Sequence, residues 1–302
     1  MGLLLGSPGC GSRADAPSSS GAGSGGEDGA TEVTLARETS HSSDAPGDGT
    51  CIAVSHSWSF AASGSPDQGG EIRYCIPEPE HDRAVENFGV DPAALSFEYS
   101  SRKELDRLVA RRAPALAERG FLLERRGEEV QVTVDYVSLV RDSAEPLASL
   151  RLALDAAAPP GDSLRARLDF YAGFVQSLDL VVPPRERVTP SGRRLVVAGT
   201  LHPLETVVAG RGDCDGLTMA FAALARGHSK APLVLLGTEV EGSRHLFAAA
   251  AAEPREGDLV VEVEGRPMVV YELTSRSPSR PISARAREAL LGKEVEVFPI
   301  RP

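Results

Sequence analysis

The chain has 302 residues, with 43 acidic against 32 basic side chains and a formal charge of −11, which excludes a general nucleic-acid binder because such a protein needs a basic face. Hydrophobic residues make up 41% of the chain, enough for the packed core of one large domain or two small ones. Four cysteines are too few for a disulfide-built mini-protein, and no apolar run of about 18 residues predicts a membrane-spanning helix.

Residues 1–48 predict a disordered tether. Eleven of the 30 glycines fall in residues 1–50, which contain no aromatic residue, so this segment buries too little apolar surface to offset its ordering entropy. Three leucines near the start are followed by small residues and then Cys10, a pattern that resembles the end of a bacterial lipoprotein signal. Cys10 is therefore a lipidation candidate on an exported protein, periplasmic or on the outer surface. If the leucines and Cys10 are a chance pattern, the protein is cytoplasmic.

A first structured region is predicted over residues 49–145. It opens with two short apolar segments, residues 51–54 and 71–75, separated by a loop rich in Gly, Ser, Pro and Asp, which predicts a pair of strands. In an exported protein Cys51 and Cys75 can form a disulfide that staples this hairpin, whereas in a cytosolic protein they are two free thiols.

A helix is predicted next, followed by further strands. Ser101 and Glu104 have the spacing of a capping box, Pro114 is expected to bend or shorten the helix, and Gly120 ends it. Apolar residues then predict strands at 121–123 and 130–140. This part of the chain contains no catalytic constellation, so residues 49–145 are interpreted as an accessory α/β region.

The last predicted region, residues 146–302, combines helices with a run of strands. Asp162 can cap a helix with apolar residues at helical spacing, and a second helix is predicted over residues 214–226. The predicted strands cover residues 233–240, 245–252, 259–264, 268–274 and 295–298. A helix packed on consecutive antiparallel strands is an α+β fold.

Cys214 is the candidate nucleophile of this region. It opens the second helix, where unpaired backbone N–H groups carry partial positive charge and stabilise a thiolate. His245 at a strand start and Glu272 in a later strand can supply the base and its orienting acid. Asp213 and Asp215 flank the cysteine and would raise its pKa, so their side chains must point away, cap the helix or bind a cation. The alternative is a buried structural cysteine.

Five short runs of the sequence match a known family. They are, in chain order, Phe174-Val175-Gln176-Ser177-Leu178, Pro203-Leu204-Glu205-Thr206, Gly212-Asp213-Cys214-Asp215, Arg244-His245-Leu246 and Tyr271-Glu272-Leu273-Thr274. Together they resemble the transglutaminase-like cysteine protease superfamily, in its bacterial branch. The resemblance covers about residues 160–275 and implies a papain-like core in which a catalytic helix packs on an antiparallel sheet.

The resemblance also implies roles for individual residues. Cys214 attacks a carbonyl carbon and forms a thioester, His245 accepts and later donates the proton, and Glu272 holds the imidazole where most relatives have Asp. The Cys214 backbone N–H donates to the oxyanion, with Gln176 as a second donor or, alternatively, a solvated helix position. No metal and no cofactor are expected: relatives often carry an acid where this chain has Gly216, and two carboxylates make a poor calcium site.

Three functions from different classes remain open. The first is a cysteine peptidase or amidase acting on protein or peptide amides, and the second is a transglutaminase with an amine acceptor. The third is a non-catalytic binding module of the same fold. We expect a monomer that contacts a membrane only through its N-terminal lipid. The rival acids to Glu272 are Asp258 in a turn and Glu262 and Glu264, which alternate with valines and are expected to face solvent.

Overall fold

The computed structural model describes residues 4–5, 50–60, 68–96, 98–126, 129–160, 163–228, 230–274, 282–292 and 294–301. Of the tether predicted over residues 1–48 it describes only Leu4–Leu5, a short strand (β1). Cys10, the lipidation candidate, lies outside the described residues.

Eight helices are described. They are α1 Glu78–Asn87, α2 Arg102–Ala117, α3 Tyr136–Ser143, α4 Ala148–Ala157, α5 Leu164–Gln176, α6 Pro203–Ala209, α7 Cys214–His228 and α8 Ala284–Gly292, with a short 3₁₀ turn at Pro92–Leu95. In this part of the chain no helix has both the length and the apolar character needed to cross a bilayer.

The described strands form one larger sheet and several small ones. After β1 they are β2 Cys51–Phe60, β3 Gln68–Pro77, β4 Phe121–Arg126, β5 Glu129–Val134, β6 Asp179–Leu180, β7 Glu186–Val188, β8 Arg194–Val196, β9 Arg211–Gly212, β10 Leu233–Val240, β11 Ser243–Ala250, β12 Val260–Val263, β13 Arg266–Tyr271 and β14 Glu296–Ile300.

The larger sheet has five antiparallel strands in the order β12-β13-β11-β10-β14. Side chains alternate between its faces. On β11, Leu246 and Ala248 belong to the main core with α7, while Phe247 and Ala249 belong to a smaller cluster that includes Ala286 and Leu290 of α8. The sheet therefore lies between α7 on one face and α8 on the other, which confirms a mixed α and β protein with an antiparallel sheet.

Helix α7 is buried almost all round its first three turns. Four alanines, among them Ala222 and Ala223, let neighbouring elements approach closely, and α7 packs against the sheet and against α3, α5 and α6. Phe221 stacks at a tilt on Tyr271 of β13, with ring centroids 5.0 Å apart. A helix enclosed in this way holds its first residue in a fixed position relative to the sheet.

The hairpin β2–β3 carries the disulfide between Cys51 and Cys75, whose Cα atoms are 5.6 Å apart. Trp58 of this hairpin makes edge contacts with Phe170 and Phe174 of α5. Because the main hydrophobic cluster extends from β2 to β14, the region predicted as accessory over residues 49–145 shares its core with the rest of the chain.

Three local predictions differ from the structure. The strand predicted over residues 130–140 ends at Val134, because Asp135 accepts a hydrogen bond from the Ser138 N–H and starts α3. Helix α2 continues through Pro114 to its end at Ala117. Helix α5 is capped by Ser163, whose Oγ accepts from the Ala166 N–H, and Asp162 lies outside the described residues.

Candidate functional site

Cys214 is the first residue of α7 and is fully buried. Asp213 alone separates it from β9, and β9 pairs in parallel with β6, which follows α5. Backbone hydrogen bonds from Asp179 to Gly210 and from Val181 to Gly212 fasten this junction. The start of α7 is therefore held by the chain that leaves α5 as well as by the helix's own packing.

The sulfur of Cys214 is disulfide-bonded. It lies 3.4 Å from Oδ1 of Asp215. A disulfide sulfur has no S–H to donate, so this approach is a contact, and it becomes a possible hydrogen bond only after reduction. Any nucleophilic role for Cys214 therefore requires the reduced thiol.

Asp213 caps α7. Its Oδ1 accepts hydrogen bonds from the Thr200 hydroxyl at 2.9 Å and from the Gly216 N–H at 3.1 Å. Burial raises the pKa of Asp213 to about 6, against the lowering effect of these hydrogen bonds. Asp213, one of the two carboxylates expected to raise the pKa of Cys214, therefore caps the helix. Helix capping was one of the three arrangements that the sequence analysis allowed.

Asp215 makes a different contact. Its Oδ2 accepts a 2.7 Å hydrogen bond from the hydroxyl of Tyr136 in α3. Burial, together with the charge of Asp213, raises the pKa of Asp215 to about 7, and the nearby positive charge of Arg244 opposes the shift. Burial also raises the pKa of Tyr136 well above its usual value, so this hydroxyl remains a donor.

The sequence assigned no role at this site to Thr200, Tyr136 or Arg244. Tyr136 is 79 positions from its partner in the chain, and no local pattern links the two. Arg244 precedes His245 on β11 and forms an ion pair with Glu296 of β14. Only the packing of α3, α7 and the sheet brings these side chains to the start of α7.

Gly216 stands where the resemblance leads to the expectation of an acid, and a side chain at this position would force Thr206 to move. A Cβ at this position would lie 2.8 Å from Oγ1 of Thr206 and 3.1 Å from Oδ1 of Asp213. The first distance is shorter than carbon and oxygen atoms tolerate. Glycine here lets α6 approach the first turn of α7.

His245 lies on β11 opposite Thr238 of β10. Its ring is 4.4 Å from the ring of Phe247, centroid to centroid. Residues two apart on a strand share a face, and Phe247 belongs to the cluster under α8, so the imidazole faces the α8 side of the sheet. Burial lowers the pKa of His245 to about 4 and favours the neutral ring.

Glu272 follows the last residue of β13. Its carboxylate accepts a 3.4 Å hydrogen bond from the N–H of Ser283, just before α8, and a 3.5 Å hydrogen bond from the Thr274 hydroxyl. Burial raises its pKa. The pairing of β13 with β11 ends at Tyr271, opposite Ala248, so Glu272 is the first residue after the paired strand.

His245 therefore lies on β11, and Glu272 follows the neighbouring strand β13. Cys214 begins the helix that covers the side of the sheet opposite to the His245 ring. The structure places His245 across the sheet from the thiol, and the described hydrogen-bond donors to the Glu272 carboxylate are Ser283 and Thr274. The triad of Cys214, His245 and Glu272 stays a prediction.

Gln176 is buried at the end of α5, with 8% of its surface exposed, so the alternative of a solvated helix position is wrong. Its Nε2 donates a 2.8 Å hydrogen bond to the backbone carbonyl of Glu272. This bond uses one of the two N–H donors of the Gln176 amide, so one donor remains for the proposed oxyanion role. This bond ties the end of α5 to the end of β13.

The rival acids have other surroundings. Asp258 accepts two hydrogen bonds from the guanidinium of Arg165, one of them 3.0 Å long. Although partial burial acts to raise its pKa, these bonds outweigh burial and lower it. Glu262 and Glu264 are exposed at the edge strand β12, as their alternation with valines predicts.

One group of potential metal ligands occurs among the described residues. It consists of Asp213, Cys214 and Asp215, whose ligand atoms lie within 4.8 Å of one another. Asp213 already accepts hydrogen bonds from Thr200 and from a backbone N–H, and the Cys214 sulfur is in a disulfide. Few lone pairs of this set remain open to an ion.

Comparison of the chain with known proteins found no matching family model, no similar curated protein and no similar solved structure.

Proposed function

We propose that the protein catalyses thiol-dependent acyl transfer on protein or peptide amides, with reduced Cys214 as the nucleophile, on a transglutaminase-like or papain-like core. The observation that carries this proposal is the position of Cys214. It opens the enclosed helix α7, which packs on an antiparallel sheet whose neighbouring strands carry His245 and lead to Glu272.

The proposed reaction proceeds in two steps. The sulfur of Cys214 attacks the amide carbonyl carbon, a C–S bond forms, the C–N bond breaks and the amine leaves with a proton. The resulting thioester is then cleaved by water, in a peptidase or amidase, or by a second amine, in a transglutaminase. Backbone N–H groups at the start of α7 favour both the thiolate and the oxyanion of the first step.

The thiol proton has two candidate acceptors. His245 is the one that the sequence indicates. Asp215 is supported by distance, because its Oδ1 lies 3.4 Å from the sulfur, and by a pKa of about 7, which suits proton transfer near neutral pH. An acceptor role for His245 requires the imidazole to reach the α7 side of the sheet.

A specific observation favours a second candidate function, a non-catalytic binding module. Cys214 is fully buried and disulfide-bonded, and the imidazole packs against Phe247. In a module of this kind the bond is structural, and reduction lowers stability without releasing a reactive group.

The thiol's reactivity separates these functions. The protein is reduced with a water-soluble phosphine and treated with iodoacetamide at pH 7, and peptides are quantified by mass spectrometry beside a urea-denatured control. We expect Cys214 to react faster in the folded protein than in urea, and faster than Cys51 and Cys75. Folded Cys214 that reacts no faster than in urea would contradict the proposal and support the binding module.

Two variants identify the proton acceptor. We expect either Asp215→Asn or His245→Gln to slow labelling of Cys214 by at least about tenfold at pH 7. The matched controls are Asp82→Asn, at an exposed position in α1, and His81→Gln beside it. If both test variants label at the wild-type rate, neither residue activates the thiol.

A further inference from the structure

A small polar cavity lies between α5 and the end of β13. Its volume is about 60 Å³, and about 10–15 Å³ is enough for each water-sized group, so it has room for several of them. Gln176, Tyr271 and Glu272 are among the residues that line it. Apolar side chains, among them Val270 and Ile282, form part of the wall.

Two buried polar atoms at this cavity have no hydrogen-bond partner among the described residues. They are Oε1 of Gln176 and the hydroxyl of Tyr271, on side chains that are 8% and 7% exposed. A buried polar group without a partner destabilises the protein, because it has given up its hydrogen bonds to water and gained none in return. Gln176 Oε1 is an acceptor only, so the missing partner must donate a hydrogen bond.

The charges around the cavity leave one carboxylate without a cation. Asp258 is bound by Arg165, and Asp169 is bound by Arg165 and by Arg255. Glu272 accepts hydrogen bonds only from a hydroxyl and a backbone N–H in the part of the chain that the structure describes. Arg287 also approaches the cavity, where it donates to the Gly257 carbonyl, so the evidence for a cationic occupant is local: Glu272 is the lining carboxylate that no ion pair among the described residues neutralises.

We propose that this cavity binds a primary alkylammonium group, held by Gln176 Oε1, the Tyr271 hydroxyl and the Glu272 carboxylate. An ammonium has three N–H donors and matches three acceptors in a small volume. The proposal does not depend on Cys214, because a charged ammonium is recognised here and does not act as a nucleophile. The group can belong to a free amine or to a lysine side chain of a bound peptide.

Nuclear magnetic resonance can observe the site directly in the oxidised protein. The chain has three glutamines, Gln68, Gln131 and Gln176, so a Gln176→Met variant identifies the Gln176 side-chain amide signal. We expect methylammonium to shift this signal saturably. Tetramethylammonium, which has the same charge and no N–H, and potassium at equal ionic strength should bind at least about fivefold more weakly.

Tyr271→Phe is the decisive variant. It keeps the ring against Phe221 and removes only a hydroxyl that has no described partner, so the fold is retained. We expect it to weaken methylammonium binding about fivefold, whereas the control Gln131→Met leaves binding unchanged. Tighter binding of Nα-acetyl-lysine methylamide than of methylammonium assigns the group to a peptide lysine, and the reverse order to a free amine.

Two results would overturn the proposal. One is an equal response to methylammonium and tetramethylammonium, and the other is unchanged affinity in Tyr271→Phe. Ordered water is then the partner of the two buried atoms. Because Cys214 remains disulfide-bonded throughout, neither result bears on the reactivity of the thiol.

Discussion

The two faces of the five-stranded sheet bury ionisable groups of opposite type, acids on one face and a base on the other. On the α7 side, Asp213 and Asp215 lie beside Cys214 at the start of the helix, and burial raises the pKa of both. Under α8, His245 packs on Phe247, and burial lowers its pKa. On each face the neutral form is favoured, because charge is costly to remove from water.

This difference shows what the proposed chemistry needs. A thiolate–imidazolium pair requires a positive charge on His245, and burial disfavours that charge because it lowers the pKa of the ring to about 4. Proton transfer from Cys214 to Asp215 stays on the α7 face, whereas transfer to His245 must join the two faces. Strongly shifted pKa values cluster at functional sites, which favours the start of α7 as the reactive position.

The largest expected effect tests the α8 face. Glu272→Gln removes the carboxylate proposed to orient His245, and by analogy with other triad acids we expect turnover of an amide substrate to fall roughly 10²–10⁴-fold. Asp258→Asn, measured beside it, breaks the ion pair with Arg165 and is expected to lower stability more than turnover. Loss of turnover in Asp258→Asn alone would show that Asp258 is the acid.

Substituting one phenylalanine on each side of the sheet tests how much each hydrophobic cluster contributes to stability. Phe221 of α7 and Phe247, which belongs to the cluster covered by α8, are both fully buried. We therefore expect each alanine variant to lower the free energy of unfolding by about 3–5 kcal/mol, measured by urea denaturation. Phe221→Ala should also change Cys214 labelling, because it loosens the helix that begins at that residue. Equal labelling changes in both variants would mean that the faces are not independent.

The sequence was most informative about the sheet. Residues 233–240 were predicted as a strand and form β10 with the same bounds. Strands were also predicted over residues 259–264 and 268–274, and between β12 and β13 Glu264 and Gly265 adopt φ angles of 50° and 75°, as a two-residue hairpin turn requires. These features depend on local alternation and turn chemistry, which short sequence windows contain.

Short helices were missed, although one had a readable signal. Helix α6 begins with Pro203 after the capping residue His202 and ends at Gly210, which adopts the left-handed conformation that glycine favours. With only seven residues, α6 has too little periodicity to stand out. The contact between Tyr136 and Asp215 had no signal, because the packing of distant elements creates it.

The pH dependence of stability tests the α7 face next. The pKa of Asp215 rises on folding from 3.8 to about 7, so the folded protein holds the proton more tightly than the unfolded chain. The free energy of unfolding therefore decreases as the pH rises from about 4 to about 7. Asp215→Asn keeps an acceptor for the Tyr136 hydroxyl and removes the charge. We expect it to gain stability on the order of 2 kcal/mol over wild type on going from pH 5 to pH 8, measured by urea denaturation. Parallel pH profiles for the two proteins would contradict this.

The smallest expected effect is the loss of stability below pH 7 that His245 causes. Because burial lowers its pKa to about 4, the unfolded chain takes up the proton first as pH falls below the ordinary value of 6.5. Protonation in the unfolded chain therefore favours unfolding. The free energy of unfolding is unaffected by this histidine above pH 6.5 and decreases as the pH falls from 6.5 towards 4. The side chain is only partly shielded from solvent, so we expect a loss of about 1–2 kcal/mol between pH 7 and pH 5 that His245→Gln abolishes. Urea denaturation at both pH values measures this loss, with His81→Gln as the control.

If His245→Gln has the same pH profile as the wild type, His245 is solvated and can take up a proton. That result would favour His245 as the base that accepts the thiol proton.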